Sequence, residues 1–308
     1  MSTRPSRPIA WLALAVVVTA GCTTQRVAPA DHDRPPAAAT AAAPSAARPA
    51  VAGTAGASAL PAGAQTVKPR LQASPRHGEW AMIRTGPTDS VRAWVVYPER
   101  STKAPVVVVV HEIYGLSTWV RGVADQLAAD GFIAIAPDLL TGKAPLEGDT
   151  LTQSVATAAI RTLKQEDVQR QIESVARYGM ALPAASAQYG VVGFCWGGST
   201  SFAHAVESPR GLGAAVVYYG TSPATPELQR VKVPVLGLYA GDDDRVNATV
   251  PAADTALRTL GRVYEPHIFP GAGHGFLRAQ EGKEGANLRA SVEAWPLTVG
   301  FFRKYLGG

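Results

Sequence analysis

An alternation that begins near residue 77 constrains the fold more than any other feature. Short β-branched runs recur at 91–97, 106–110, 132–136, 189–193, 214–219, 235–239 and 263–269. Most are apolar at every position, as strands buried on both faces of a sheet must be. Helical patterns separate them at 119–129, 166–182, 198–206, 249–260 and 284–305, with Asn247 or a neighbour as N-cap of the fourth. Alternation sustained over about 230 residues predicts an α/β fold, a doubly wound, mostly parallel sheet with helices on both faces and right-handed crossovers. No internal repeat is evident. In such sheets reactive groups collect at the carboxyl ends of the strands.

Composition narrows the function classes. With 308 residues, 46% hydrophobic and 17% charged, the chain can bury a sizeable core, which excludes global disorder. No apolar run reaches the ~18–20 residues of a membrane-spanning helix, so a polytopic membrane protein is excluded. Two cysteines, Cys22 and Cys195, cannot build a disulfide scaffold, and no cluster has the spacing of a structural zinc site. The net charge of +5 divides unevenly. Residues 1–76 hold eight Lys/Arg against two Asp/Glu, or +6, leaving 21 against 22, or −1, for residues 77–308. A near-neutral body gives no footprint for nucleic acid, and none is expected as a partner.

Two segments precede the alternation. Residues 1–22 read as an export leader: Arg4 and Arg7, an apolar stretch at 9–18 too short to span, then Thr19-Ala20-Gly21 before Cys22. The small residues directly before a cysteine resemble a bacterial lipobox, although Thr19 stands where an aliphatic residue is usual. That resemblance implies diacylation of Cys22 and a lipid-anchored, periplasm-facing protein of the cell envelope. Thr23, in place of Asp, implies the outer membrane. Residues 23–76 contain 18 Ala and 8 Pro among 54 positions, with no aromatic residue and no period. They are expected to form a disordered tether, because they cannot bury enough apolar surface to offset chain entropy. The folded body is then 77–308.

Three strand ends carry chemistry. The run at 189–193 passes directly into Gly193-Phe194-Cys195-Trp196-Gly197-Gly198 and a helix, a nucleophile elbow with Cys in the place of Ser. The following helix N-terminus should favour thiolate, and the Trp196 N–H should face a developing oxyanion. The run at 235–239 leads into Gly241-Asp242-Asp243-Asp244-Arg245-Val246, where any of three aspartates could orient a histidine. The run at 263–269 leads into Gly273-His274-Gly275-Phe276, a loop histidine suited to general base work. Nucleophile, acid and histidine in this chain order match the α/β-hydrolase order.

Together with His111-Glu112-Ile113-Tyr114-Gly115 and Ala136-Pro137-Asp138-Leu139, these motifs resemble the dienelactone hydrolase family from about residue 78 to the C-terminus. The resemblance selects Asp243 as the acid, since Arg-Val follows one residue later. It implies that Glu112 primes the Cys195 thiolate when substrate binds, and that the Ile113 N–H is the second oxyanion donor. Family members acting on dienelactone anchor its carboxylate with two arginines. Arg278 matches one of them. The other is missing, and Lys143 stands one position along as a point charge rather than a bidentate fork. Tyr114 and Trp196 are expected to wall the substrate, and residues 144–163 to form a lid.

The resulting expectation is a monomeric hydrolase of a small ester or lactone, of carboxymethylenebutenolidase type. It would act through a Cys195–His274–Asp243 triad and an acyl-enzyme, without metal or organic cofactor. The alternative is a non-catalytic envelope lipoprotein using the fold as a binding module. An intact set of motif residues disfavours it. A thiol redox role is disfavoured because the body has no second cysteine.

Overall fold

The computed structural model describes residues 60–148 and 150–307. The leader of residues 1–22 with Cys22, and residues 23–59 of the expected tether, lie outside the described residues. In chain order the strands are β1 (Gly78–Arg84), β2 (Ser90–Val96), β3 (Ala104–Val110), β4 (Ile133–Asp138), β5 (Ala185–Phe194), β6 (Leu212–Tyr218), β7 (Val235–Asp242) and β8 (Tyr264–Gly273). The α-helices are α1 (Val67–Gln72), α2 (Thr118–Ala129), α3 (Gln153–Ile160), α4 (Gln165–Ala181), α5 (Trp196–Glu207), α6 (Asp244–Asn247), α7 (Val250–Thr259) and α8 (Ala286–Leu306).

The strands form one sheet in the order β1-β2-β4-β3-β5-β6-β7-β8. β1 and β2 are antiparallel to their neighbours, and every other pairing is parallel. Each of the seven apolar runs falls on a strand, four of them reaching one residue beyond it, for the reason the pattern implies. On β3, Val107 and Val109 join the core beneath α2 and α8, while Val106, Val108 and Val110 join the core beneath α4, α5 and α7. All five valines are fully buried, and each contributes roughly 1.5–3 kcal/mol relative to an exposed position. α4 turns Val168, Ile172, Val175 and Ala176 inward, and Ser117 caps α2 by accepting from the Val120 N–H.

The strand order reverses at β3, with β4 on one side and β5 on the other. A crevice opens at such a reversal. The loops after β3 and β5 therefore meet there, flanked by those after β7 and β8.

Residues 60–76 depart from expectation. Assigned by composition to the tether, they are packed: α1 lies on α2, Ala62 and Val67 enter the main core, and Arg76 pairs with buried Asp125 at 2.6 Å. Isolated apolar residues with partners elsewhere in the chain leave no periodic signal.

Candidate active site

The elbow forms because β5 must turn into α5 without a loop. Cys195 sits at the turn with φ 57° and ψ −115°, a backbone conformation that only over-determined surroundings hold. Those surroundings are backbone. A Cβ on Gly193 would lie 1.9 Å from the Gly197 carbonyl oxygen, and one on Gly197 would lie 2.3 Å from the His111 carbonyl oxygen. Glycine is therefore obligatory at both positions. The Cys195 N–H donates to the Tyr218 carbonyl at 3.1 Å, tying the elbow to the end of β6.

The thiol does not rest as the thiolate expected from its place at a helix N-terminus. Burial pushes it up, and the Glu112 and Asp243 carboxylates act in the same direction. The Trp196 N–H at the start of α5 and Arg245 oppose this without overcoming it.

Of the three aspartates, Asp243 meets the histidine: His274 Nδ1 lies 2.5 Å from Asp243 Oδ2. Asp242, still in β7, points outward to Lys283 Nζ at 3.1 Å, and Asp244 opens α6. With Nδ1 engaged, Nε2 of His274 is the nitrogen left to exchange a proton. The Tyr219 ring packs against His274 at 5.1 Å between centroids. Tyr219 was not singled out from the sequence; its signal is its position at the end of β6, beside the elbow.

The loop after β3 brings a carboxylate inside. Glu112 is 3% exposed, and burial raises its carboxyl to about 7 against the pull of Arg278. Arg278 Nε stands 3.0 Å from Glu112 Oε1, but out of line for a hydrogen bond, so neither atom is satisfied. The guanidinium also lies over the Tyr114 ring, 4.9 Å from its centroid. His111 is wholly buried and stacks on Trp196 at 5.6 Å. Its Nε2 accepts from the Leu139 N–H at 3.2 Å, so Nδ1 carries the proton donated to the Glu112 carbonyl at 2.8 Å. That bond orients the peptide unit whose other end is the Ile113 N–H.

Lys143 is not where a second anchor would have to be. It borders a separate cleft with Thr88, Ser90, Asp167 and Arg170. The turn that carries it is tied outward, Thr141 Oγ1 accepting from the Arg92 N–H on β2 and donating to the Asp138 carbonyl. Within residues 144–163, α3 packs Ala156 and Ile160 with Leu140 against Ile113 and Trp196. Glu112, Tyr114 and Arg278 border one cavity of about 260 Å³, together with Leu151. His204 lies apart from the site, held by Tyr189 and Gln169 and lowered by burial to about 4. The arrangement joins a strained cysteine, an aspartate-held histidine and a buried carboxylate paired to an arginine; the carboxylate and the arginine border the small cavity, which the cysteine and histidine do not line.

Comparison with known proteins agrees with this fold. The profile of the dienelactone hydrolase family matches residues 91–306. A Saccharolobus solfataricus protein named a candidate carboxymethylenebutenolidase is 28% identical over 247 residues, 70% of this chain and 94% of that protein. Among solved structures, a candidate dienelactone hydrolase of Klebsiella pneumoniae superposes with TM-score 0.66 at 24% identity, covering 75% of this chain and 99% of its own. A dienelactone hydrolase of Anabaena variabilis gives 0.57 at 22% identity, covering 75% and 98%. With the eight-stranded sheet in place and the family profile spanning most of the body, the chain belongs to the dienelactone hydrolase family, with the α/β-hydrolase fold and the activity of an ester-bond hydrolase.

Proposed function

We propose that the protein hydrolyses a small ester or lactone bearing an anionic group, through Cys195, His274 and Asp243. The observation that carries this reading is the 2.5 Å contact of His274 Nδ1 with Asp243 Oδ2, at strand ends that flank a strained cysteine. Because burial holds the resting thiol up, reaction waits for a base. The substrate anion pairs with Arg278, and Glu112 loses its counter-ion beside the thiol. Cys195 Sγ then attacks the carbonyl carbon as its proton passes to His274 Nε2, and Asp243 stabilises the imidazolium. The N–H groups of Trp196 and Ile113 hold the oxyanion. Collapse breaks the C–O bond, and the leaving oxygen takes the proton from His274. Water attacks the thioester as its proton passes to His274, the C–S bond breaks, the sulfur takes that proton, and the acid departs with Cys195 restored.

The small cavity and a single facing arginine support a compact monoanionic substrate. The leader and Cys22 support export and lipid anchoring, with the body facing the periplasm. The reading is tested with purified protein under reducing conditions, following p-nitrophenyl acetate and a dienelactone with wild type and Cys195→Ala. Turnover that falls at least 10³-fold in the folded variant is expected. Equal background rates in both proteins, with the variant folded, would sink the esterase reading for these substrates and favour a binding module.

A further inference from the structure

The cavity beside Glu112 and Arg278 has a wall that the family profile does not cover. The profile begins at residue 91, yet Ala64 and Val67 border the cavity together with Glu112, Tyr114, Trp119 and Arg278. Hydrogen bonds hold this segment to the loop carrying Arg278. The Ala64 N–H donates to the Arg278 carbonyl at 2.8 Å, and Gln280 Nε2 donates to the Pro61 carbonyl at 2.8 Å. Its other end is fastened to α2. Val67 is 4% exposed, and it sits so close that a Cβ on Gly122 would meet its Cγ2 at 2.2 Å. Arg70 donates to both the Leu60 carbonyl and the Gln126 side chain.

Arg278 is therefore held from two sides. Its guanidinium faces Glu112 and Tyr114, and its backbone is clamped by the preceding segment. A cavity of about 260 Å³ lies below the ~300–1,000 Å³ typical of drug-sized ligand sites. Bulk added at its wall is therefore felt directly.

We propose that residues 61–67 form a strap that sets substrate specificity. Ala64 and Val67 close the anion-binding end of the pocket and limit it to a short carboxylate-bearing group, while the Ala64–Arg278 bond fixes the arginine that receives the anion. This rests on the hydrolase reading above for its choice of substrate, but its test separates the two. Ala64 is half-buried and Gln65 is exposed, so each tolerates a larger side chain without entering the core.

The test uses Ala64→Phe and Gln65→Phe in the otherwise intact chain. The ratio of kcat/KM for dienelactone to that for p-nitrophenyl acetate is measured for each. Ala64→Phe is expected to lower that ratio about ten-fold through KM, the scale on which a pocket discriminates one small group. Gln65→Phe is expected to leave it as in wild type. In parallel, dienelactone binding to Cys195→Ala, with and without Ala64→Phe, is followed by calorimetry. There a similar loss of affinity is expected, independent of turnover. An unchanged ratio and affinity in Ala64→Phe would overturn the strap while Cys195-dependent turnover kept the hydrolase reading. An equal fall for both substrates, or the same shift in Gln65→Phe, would reduce the segment to a structural element. Should turnover prove independent of Cys195, the binding comparison still decides for or against the strap.

Discussion

Glu112→Gln should make the protein more stable at neutral pH and less active. The carboxyl has an ordinary value of 4.5 and is raised to about 7 by burial. Each unit corresponds to 1.36 kcal/mol, so the shift amounts to about 3 kcal/mol of differential stability. Below about pH 4.5 the carboxyl is protonated in both the folded and the unfolded chain, and burial exacts no electrostatic penalty. Between about 4.5 and 7 the unfolded chain releases the proton while the folded chain retains it, so stability falls as pH rises. Above about 7 the whole penalty is present. Gln imitates the protonated acid at every pH. Variant and wild type should therefore unfold alike near pH 4.5 and diverge by about 3 kcal/mol at pH 8. For a chain of this size that is a gap of about 6–12 °C in Tm. Urea or thermal unfolding of both proteins from pH 4.5 to 8.5 measures it. A Tm difference that does not change with pH would refute the argument, because it would mean that Glu112 is not held above its ordinary value. The opposite change in activity, lost turnover of an anionic lactone, is the companion observation. A buried carboxylate facing an arginine out of hydrogen-bonding line weakens the fold, which is the usual mark of a group retained for chemistry.

Two further substitutions probe the frame of the site. His111→Leu removes the donor to the Glu112 carbonyl and orphans the Leu139 N–H; it should lower kcat about 10–100-fold with little change in KM, and lower stability by about 1–3 kcal/mol. Steady-state kinetics and urea unfolding check both, and a KM effect alone would contradict the orienting role. Gly193→Ala forces a Cβ to within 1.9 Å of a backbone oxygen, so the elbow must open. Loss of several kcal/mol together with all Cys195-dependent turnover is expected, and an active, stable variant would mean that the turn is looser than described.

Much of this architecture was legible in the sequence because β3, β4, β6 and most of β5 and β7 are buried on two faces and must be apolar there. β1 was not. It is an edge strand with Met82 exposed and only Ile83 buried, held by pairing with β2 and by Arg92 over the Trp80 ring. Such interactions leave no run to read. α3 escaped for a similar reason: two buried residues, Ala156 and Ile160, are too few to set a period against the Ala/Thr background. The elbow was legible because a strand that turns straight into a helix sets its glycines side by side in sequence, although Gly197 is demanded by the Val110 and His111 carbonyls at the end of β3. The choice among Asp242, Asp243 and Asp244 was not readable from spacing, since it depends on where the strand ends. Asp242 is the last residue of β7, and Asp243 leaves it with φ −134° and ψ 68°, which turns its carboxylate from solvent to His274.

The state of the thiol marks the boundary between what a motif records and what the fold decides. A cysteine at a helix N-terminus reads as a thiolate because the helix is the only partner visible along the chain. In the folded protein the sulfur is enclosed by residues from three other strand ends, and two of the neighbours they supply, Glu112 and Asp243, are acidic. Burial and like charge then outweigh one N–H and a distant arginine. The same reasoning explains why a composition-based boundary at residue 77 missed Ala64 and Val67. Their importance comes from Arg278, more than 200 positions away, and from nothing in their own neighbourhood. A site of this kind is assembled by contacts across the sheet, so its cysteine elbow is written locally while its charge balance and its walls are not.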